Sequence, residues 1–321
     1  MLNRRYTARW ENTLGDGYGE MFFLNRLVRY IPDGADGPTL EIEADARHAE
    51  ILMKEFNFDD KTKGSDIPEE KMSQSELIDS ERQPALEQKQ VTMFRSMVMR
   101  MAYMSVDRPD LCHVVRSLAS SMKNPKMVDW LRLKKAVRYL IKQPYLKRIF
   151  KLQNKKDLRV EAWSDSDWAG DLKTRRSTTG SVVKVGTHTV LVKGASQKVV
   201  ALSSSESEFY AMCRTSTLAE FVRGILLFWE MPQTVVRLRV DSSSAKAMSE
   251  RHGVGASRHI QARYLWLQDK VFARELEVMK VNGKFNDSDL VTKVQTKNVI
   301  ESHLARLGFH RSGRSGHKAL T

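Results

Sequence analysis

Cysteine is nearly missing. The 321 residues hold two, Cys112 and Cys213, far apart and in different segments. That excludes a disulfide framework and a cysteine-based zinc site, and it fits a reducing compartment. Long apolar runs are missing too. None approaches the roughly 20 residues that a membrane-spanning helix needs, so no membrane partner is expected. After Met1-Leu2-Asn3-Arg4-Arg5 the chain turns polar, and no signal-peptide apolar region is visible. Acids are in short supply: 39 Asp and Glu face 53 Lys and Arg, a formal net charge of +14. A basic excess of this size points to a polyanionic partner, most often nucleic acid. With 41% hydrophobic and 29% charged residues, the composition is that of a globular chain with a sizeable core and two or three domains.

Along the chain, residues 1–60 hold two apolar clusters, a Pro32-Asp33-Gly34 turn and the alternating run Leu40-Glu41-Ile42-Glu43-Ala44. Asp45 is placed to cap a helix over Ala46 to Phe56. Together these predict a hairpin plus a helix. Residues 60–90 are polar and predict a solvated connector. Helical spacing then predicts helices over 92–104, 109–122 and 127–142, the last stopped by Pro144. The methionines of the first of these read as core. Lys123 to Lys156 carry twelve bases and a single acid, Asp129, with Trp130, Tyr139, Tyr145 and Phe150 interleaved. This is the pattern of a stripe that tracks phosphates. From residue 158 the pattern changes to three strands, helix, strand, helix, strand, helix, which is an α/β layered fold. The tail from His310 is basic and glycine-rich, and is expected to be disordered.

Four acids stand out by position. Asp165 ends the first of these strands, Asp241 ends the fourth, Glu208 lies inside the long helix and Asp289 opens the last one. Strand ends that run into helices are a usual place for α/β active sites. Glu208 shares a face with Met212, Thr215 and Ala219, so it points toward the sheet. Glu206 stands three residues after Ser203, as in a capping box, and has a structural explanation. A carboxylate aimed inward needs a partner or a metal. Four acids around one point call for divalent cations: Mg²⁺ takes oxygen ligands, and two ions can activate water for phosphodiester hydrolysis.

Several motifs in fixed order then resemble one family. They are Asp165-Ser166-Asp167-Trp168-Ala169-Gly170-Asp171, Arg176-Ser177-Thr178-Thr179-Gly180, Val200 to Ala211, Arg258-His259-Ile260 with Arg263 to Gln268, and Asp289-Leu290-Val291-Thr292-Lys293. Together they resemble the ribonuclease H domain of copia-type retrotransposon Pol polyproteins. Upstream, Phe94-Arg95-Ser96-Met97-Val98, Tyr103 to Leu111 and Trp130 to Lys134 resemble the thumb and connection. Ile42 to Asp45 with His48 to Leu52 resemble the end of the reverse transcriptase palm.

The resemblance implies a ribonuclease H-like, five-stranded mixed sheet with flanking helices, preceded by a mainly helical thumb/connection region. It implies a palm remnant over 1–62, thumb/connection over 63–156, a ribonuclease H-like domain over 157–308 and a disordered basic tail over 309–321. It implies endonucleolytic cleavage of the RNA strand of RNA–DNA hybrids with two Mg²⁺ ions, Mn²⁺ substituting. Asp165, Glu208, Asp241 and Asp289 match the catalytic, metal-binding set, with Asp287 the rival to Asp289. The hybrid is expected to meet Arg132, Lys134, Lys135, Arg138, Lys142, Arg175, Arg176 and Ser204. The partners implied are the hybrid and the rest of a Pol polyprotein, in an intracellular, cytoplasmic setting. No Tyr-x-Asp-Asp turn occurs in the sequence, so no polymerase activity is expected from this chain alone. Ala195-Ser196-Gln197, Met99, Gln261 and Asn286-Asp287-Ser288 depart from the family pattern. A catalytically inactive, nucleic-acid-binding remnant is the rival expectation. An adopted protein-interaction module is a third, which the basic stripe opposes. For His259 the alternatives are a catalytic-site role and a capping or packing one.

Overall fold

The computed structural model describes residues 14–15, 19–34, 37–59, 61–154, 158–171, 174–231, 235–255 and 258–311. The first thirteen residues of the expected palm remnant, residues 312–321 of the expected tail, and Lys155 and Lys156 of the basic stripe lie outside them. Among the described residues no helix is long and apolar enough to cross a membrane.

The chain opens as an antiparallel meander of β1 (Glu20–Phe23), β2 (Arg26–Ile31) and β3 (Thr39–Glu43). Helix α1 (Arg47–Glu55) follows, with Ala49 and Leu52 buried. Asp45 accepts the Arg47 N–H at 3.1 Å, so it serves the helix start from one residue further out than a regular cap. The polar connector is not wholly solvated coil. It contains α2 (Gln74–Arg82), which begins with a reciprocal capping box between Ser73 and Glu76. Local capping rather than an apolar face defines this helix, and periodicity therefore misses it. Helices α3 (Gln88–Met104), α4 (Cys112–Ser120) and α5 (Met127–Lys142) pack with α1 around Phe94, Met97, Met101, Leu118, Leu133 and Leu140. The α3 methionines are core, as their spacing predicts.

Past Pro144 the basic stripe forms a strand that the sequence reading did not assign: β4 (Leu146–Lys151) pairs with β3. The acids of β3 meet its bases, with Lys147 Nζ 2.6 Å from Glu41 Oε1. The stripe hides a strand because its partner lies over a hundred residues away in sequence.

The second sheet contains β5 (Val160–Asp167), β6 (Thr178–Val185) and β7 (His188–Ser196), then α6 (Ser204–Phe228), β8 (Val236–Val240), α7 (Ser243–Ser249), α8 (Trp266–Phe272), β9 (Leu276–Lys280) and α9 (Lys297–Arg306). The strand order is β7-β6-β5-β8-β9. The β5–β6 and β6–β7 pairs are antiparallel, and β5–β8 and β8–β9 are parallel. This is the five-stranded mixed α/β sheet of a ribonuclease H-like fold. Ahead of α8 the chain makes a 3₁₀ turn, Ala262–Tyr264, which leaves α8 only seven residues long.

One sheet face is covered by α6, α7 and α8 around Phe209, Met212, Val236, Leu238 and Leu267. The other carries Trp163, Val182, Leu290, Ile300 and Leu304, joined by Cys112 of α4. The start of the expected tail is ordered: β10 (Phe309–Arg311) pairs with β4 and completes the first sheet in the order β1-β2-β3-β4-β10. Phe309 is 4% exposed, and this burial fixes the strand. The first sheet thus takes strands from both sides of the expected boundary at 156.

Arg108 and Asp110 are buried at the start of α4. Two hydrogen bonds of 3.0 and 2.7 Å join them, Tyr139 Oη donates to Asp110 at 2.8 Å, and Arg108 donates to Gln143 O at the end of α5. Removing one member leaves a buried charge without its partner. We expect Arg108→Met to cost about 3–5 kcal/mol in urea unfolding, and adding Asp110→Asn to recover part of it. A fully additive double variant would show that the pair is not coupled.

Candidate active site

Asp165 lies in β5, 1% exposed, directly opposite Gly180 of β6. Asp289 sits in a 3₁₀ turn, Asp287–Val291, that lies across those strands. Glycine permits this approach. A Cβ at Gly180 would stand 2.6 Å from Ser288 O, and one at Gly194 of β7 would stand 3.0 Å from Val291 O. Asn286 holds the turn down by donating to Ser164 O at 2.9 Å. Asp241 follows the last residue of β8. As a result, carboxylate oxygens of Asp165, Asp241 and Asp289 all lie within 4.8 Å of one another.

Glu208 completes the group. Ser203 caps α6 by accepting the Glu206 N–H. The helix face shared by Glu208, Met212, Thr215 and Ala219 packs inward, the last three fully buried. Glu208 Oε1 accepts the Ser166 N–H at 3.3 Å, while its Oε2 is buried with no hydrogen-bond partner.

Burial, reinforced by the Asp165 and Asp241 charges, pushes Glu208 up to about 9. Burial and Asp165 push Asp289 up to about 7 and raise Asp241 as well. Two lysines stand by them: Lys280, whose Nζ donates to Asp241 O, and Lys293, whose Nζ lies 3.0 Å from Asp289 Oδ1 and 3.4 Å from Asp165 Oδ2. Burial opposes the Lys293 charge, but the two carboxylates hold its ammonium well above the ordinary value. Thr292 Oγ1 donates to Asp165. An orphaned buried oxygen and three crowded acids beside it are the donor set of a hard divalent cation.

Asp287, the rival to Asp289, faces away into a different network. Lys184 Nζ lies 3.0 Å from its Oδ2, and Arg306 Nε 2.7 Å from its Oδ1, with His303 Nδ1 at 3.4 Å. Burial works against its charge, yet the His303, Lys184 and Arg306 contacts bring it down to about 2. Glu206 is also structural: it accepts from Leu202 N, from Tyr210 Oη and from His259 Nε2 at 2.8 Å. Within these contacts His259 faces Glu206, in keeping with a packing role. Asp167 is raised by burial and lines a separate groove of about 640 Å³ between α4, α5 and the 167–171 segment.

The expected nucleic-acid contacts are dispersed. Arg132 is paired with Glu69 and Asp129, Lys135 with Glu70 and Lys142 with Asp66. Lys134 and Arg138 lie over the Phe58 ring. Exposed Arg175 lines the same groove as Lys293. Arg176 and Ser204 are exposed at the start of β6 and of α6. Sequence reasoning assigned no role to Lys293, Thr292 and Asn286. Lys293 had a signal, four residues after Asp289, where an i,i+4 cation reaches an acid.

Two measurements follow. An acid whose folded pKa lies above its unfolded value costs stability once pH exceeds the unfolded value. For Glu208 and Asp289 that range begins near pH 4–5. Metal-free Glu208→Gln should therefore be more stable than the parent at pH 8, by about 1–2 kcal/mol or roughly 2–8 °C in Tm. Mg²⁺ should raise the parent's Tm and leave the variant's nearly unchanged; equal responses would separate Glu208 from any metal. Asp287 has the opposite sign. Its contribution is complete above about pH 4 and is lost as pH falls toward 2. Asp287→Asn should cost about 3–5 kcal/mol near neutrality, with the deficit shrinking over that acid range in pH-dependent urea melts.

No family model matches the chain. The Retrovirus-related Pol polyprotein from transposon TNT 1-94 of Nicotiana tabacum is 29% identical over 204 residues, 63% of this chain and 15% of that protein. The one from transposon RE2 of Arabidopsis thaliana is 28% identical over 221 residues, 68% of this chain and 15% of that protein. Among solved structures, LC11-RNase H1, isolated from compost by a metagenomic approach, is similar at a TM-score of 0.31 and 15% identity, over 46% of this chain and 99% of that one. The matched region spans about 15% of the length of these curated relatives. The chain is thus a homologue of the copia-type, retrovirus-related Pol polyproteins of transposons, and it carries a ribonuclease H-like domain.

Proposed function

We propose that this chain is a ribonuclease H-type endonuclease that hydrolyses the RNA strand of RNA–DNA hybrids with divalent cations, Mg²⁺ with Mn²⁺ as substitute. One observation carries the reading: three carboxylates converge within 4.8 Å, and the buried Glu208 beside them has an oxygen without a partner. Asp165, Glu208, Asp241 and Asp289 would hold the cations. Bound there, these supply positive charge for the phosphodiester and a lowered pKa for water.

The chain's own residues prepare that site. The β5 backbone, with Thr292 Oγ1 on Asp165, holds one carboxylate in place. The Asn286 tether and the Asp287 network hold the turn that carries Asp289. Ser166 N–H fixes one Glu208 oxygen and leaves the other available. Lys293 offsets part of the acidic charge and, with Arg175, places cations along the neighbouring groove. Exposed Arg176, ahead of β6, and Ser204, in the first turn of α6, are candidates for strand contacts that position the hybrid without reading its sequence.

In this reading residues 157–308 are the nuclease, 63–156 the thumb and connection, and 1–62 the palm remnant. Polymerase activity is not expected, because the sequence has no Tyr-x-Asp-Asp turn. The remaining partner is the rest of a Pol polyprotein.

The test is cleavage of a labelled RNA–DNA hybrid with and without Mg²⁺, beside Asp165→Asn and Glu208→Gln. The parent should cleave only with the metal. Each variant should lose roughly 10³-fold or more, the rate equivalent of several kcal/mol of charge stabilisation. Tight hybrid binding by folded parent protein without cleavage would replace the enzyme with a non-catalytic binding remnant.

A further inference from the structure

A second cleft opens on the other side of the sheet from the groove beside Lys293. Its volume is about 320 Å³, and it lies between the end of β7, the middle of α6 and the Arg263–Trp266 segment. Its lining contains Lys198, Arg214 and Arg263, and not one carboxylate. All three cations are exposed, and among the described residues none has an acid within ion-pairing distance. This sets them apart from Arg132, Lys135 and Lys142, which acids of the connector already occupy.

The cleft is built rather than incidental. Its floor is Gln197, 7% exposed, with Tyr210 and Cys213. The Gln197 amide donates to Thr179 Oγ1 at 3.1 Å and to Ser207 O at 2.8 Å, and its backbone N–H donates to Ser177 O at 2.8 Å. One side chain thereby locks β6, β7 and α6 together. Arg263 is steadied over the Tyr264 ring and donates to Tyr264 Oη at 3.1 Å, which leaves other guanidinium donors open. Thr179, Ser196 and Thr217 add hydroxyls.

We propose that this cleft binds the phosphodiester backbone of a nucleic acid strand. Three cations without acids, on a fixed floor and edged by hydroxyls, suit a run of negative charge with no base-specific demand. Its position fits a strand that also reaches the carboxylates. Asp165 pairs with Gly180, and Gly180 pairs with Gly194, so β7 is two strands away. Gly194 is thus about 10 Å from Asp165 across the sheet, and the cleft begins two residues further along the chain, at Ser196. The identity of the ligand rests on the nuclease reading; the anion-binding chemistry does not.

The test uses the full chain carrying Asp165→Asn, so that a labelled RNA–DNA hybrid is not consumed. Affinity is measured by fluorescence anisotropy across a salt series. Arg214→Gln with Arg263→Gln should weaken binding by about tenfold or more, and should flatten the slope of log K against log salt by about 2, one per lost phosphate contact. Arg159→Gln with Arg274→Gln removes the same charge from exposed positions outside the cleft, and should do markedly less. Equal effects of the two pairs, or an unchanged slope for the first, overturn the proposal. If the chain without Asp165→Asn never cleaves with Mg²⁺ while the first pair still weakens binding, the nuclease reading fails and this site stands.

Discussion

The close approach of one turn to two strands governs the rest of the molecule. Asp287–Val291 can lie on β5 and β6 only because residues 180 and 194 have no side chain. That contact brings Asp289 to Asp165, although 124 positions separate them in the chain. It also presses Leu290 and Val291 into the core that α9 and α4 share. Packing and chemistry therefore cannot be separated here. A side chain at Gly180 would lift the turn, open that core and scatter the carboxylates together.

The charge of the chain divides in a way its total does not reveal. A net +14 suggests one broad cationic face, to which the 16 residues of α5 contribute five bases. In the fold, much of that helix is spent on the connector: Glu69 takes His113 and Arg132, Glu70 takes Lys135 and Asp66 takes Lys142. The exposed pairs among them, Lys135–Glu70 and Lys142–Asp66, stabilise by about 0–1 kcal/mol each, so they cannot be what holds the helices together. The apolar contacts of Phe94, Leu133 and their neighbours do that. What the pairs do is remove three of the five charges of α5 and leave Lys134 and Arg138 against the Phe58 ring, while a separate acid-free group lies across β7 and α6.

Much of this was legible in the sequence, and the failures have physical causes. Helix α5 could be bounded at Lys142 because Pro144 stops the run. Glu208 could be aimed inward because three small or apolar residues share its face. The second sheet followed from alternation in Val160, Ala162, Val236, Leu238 and Val240. Strands β4 and β10 were not legible. Their pairing is to distant segments, and Lys147, Arg148 and Lys151 in one and His310 and Arg311 in the other look like surface or tail. Asp287 and Asp289 could not be told apart either. Two residues apart in a 3₁₀ turn, they point in different directions, and only the tertiary positions of Lys184 and Arg306 decide which is neutralised.

That pair of aspartates also shows what distinguishes a structural acid from a site acid. Both are largely buried, and burial alone raises both. Asp287 meets Lys184, Arg306 and His303, and ends at about 2. Asp289 meets one lysine that it shares with Asp165, and ends at about 7. The fold therefore had cations available on this very turn and placed them on the neighbour. Around Asp289 it gathered Asp165, Asp241 and Glu208, with Lys293 shared by two of them and Lys280 on the Asp241 carbonyl. A stability optimum would spread those acids or pair each one. A concentrated deficit of positive charge, fixed by glycine contacts and a tethering asparagine, costs folding energy that protonation relieves in part and a bound cation would return. This is the physical argument for the metal, and it holds apart from any relative.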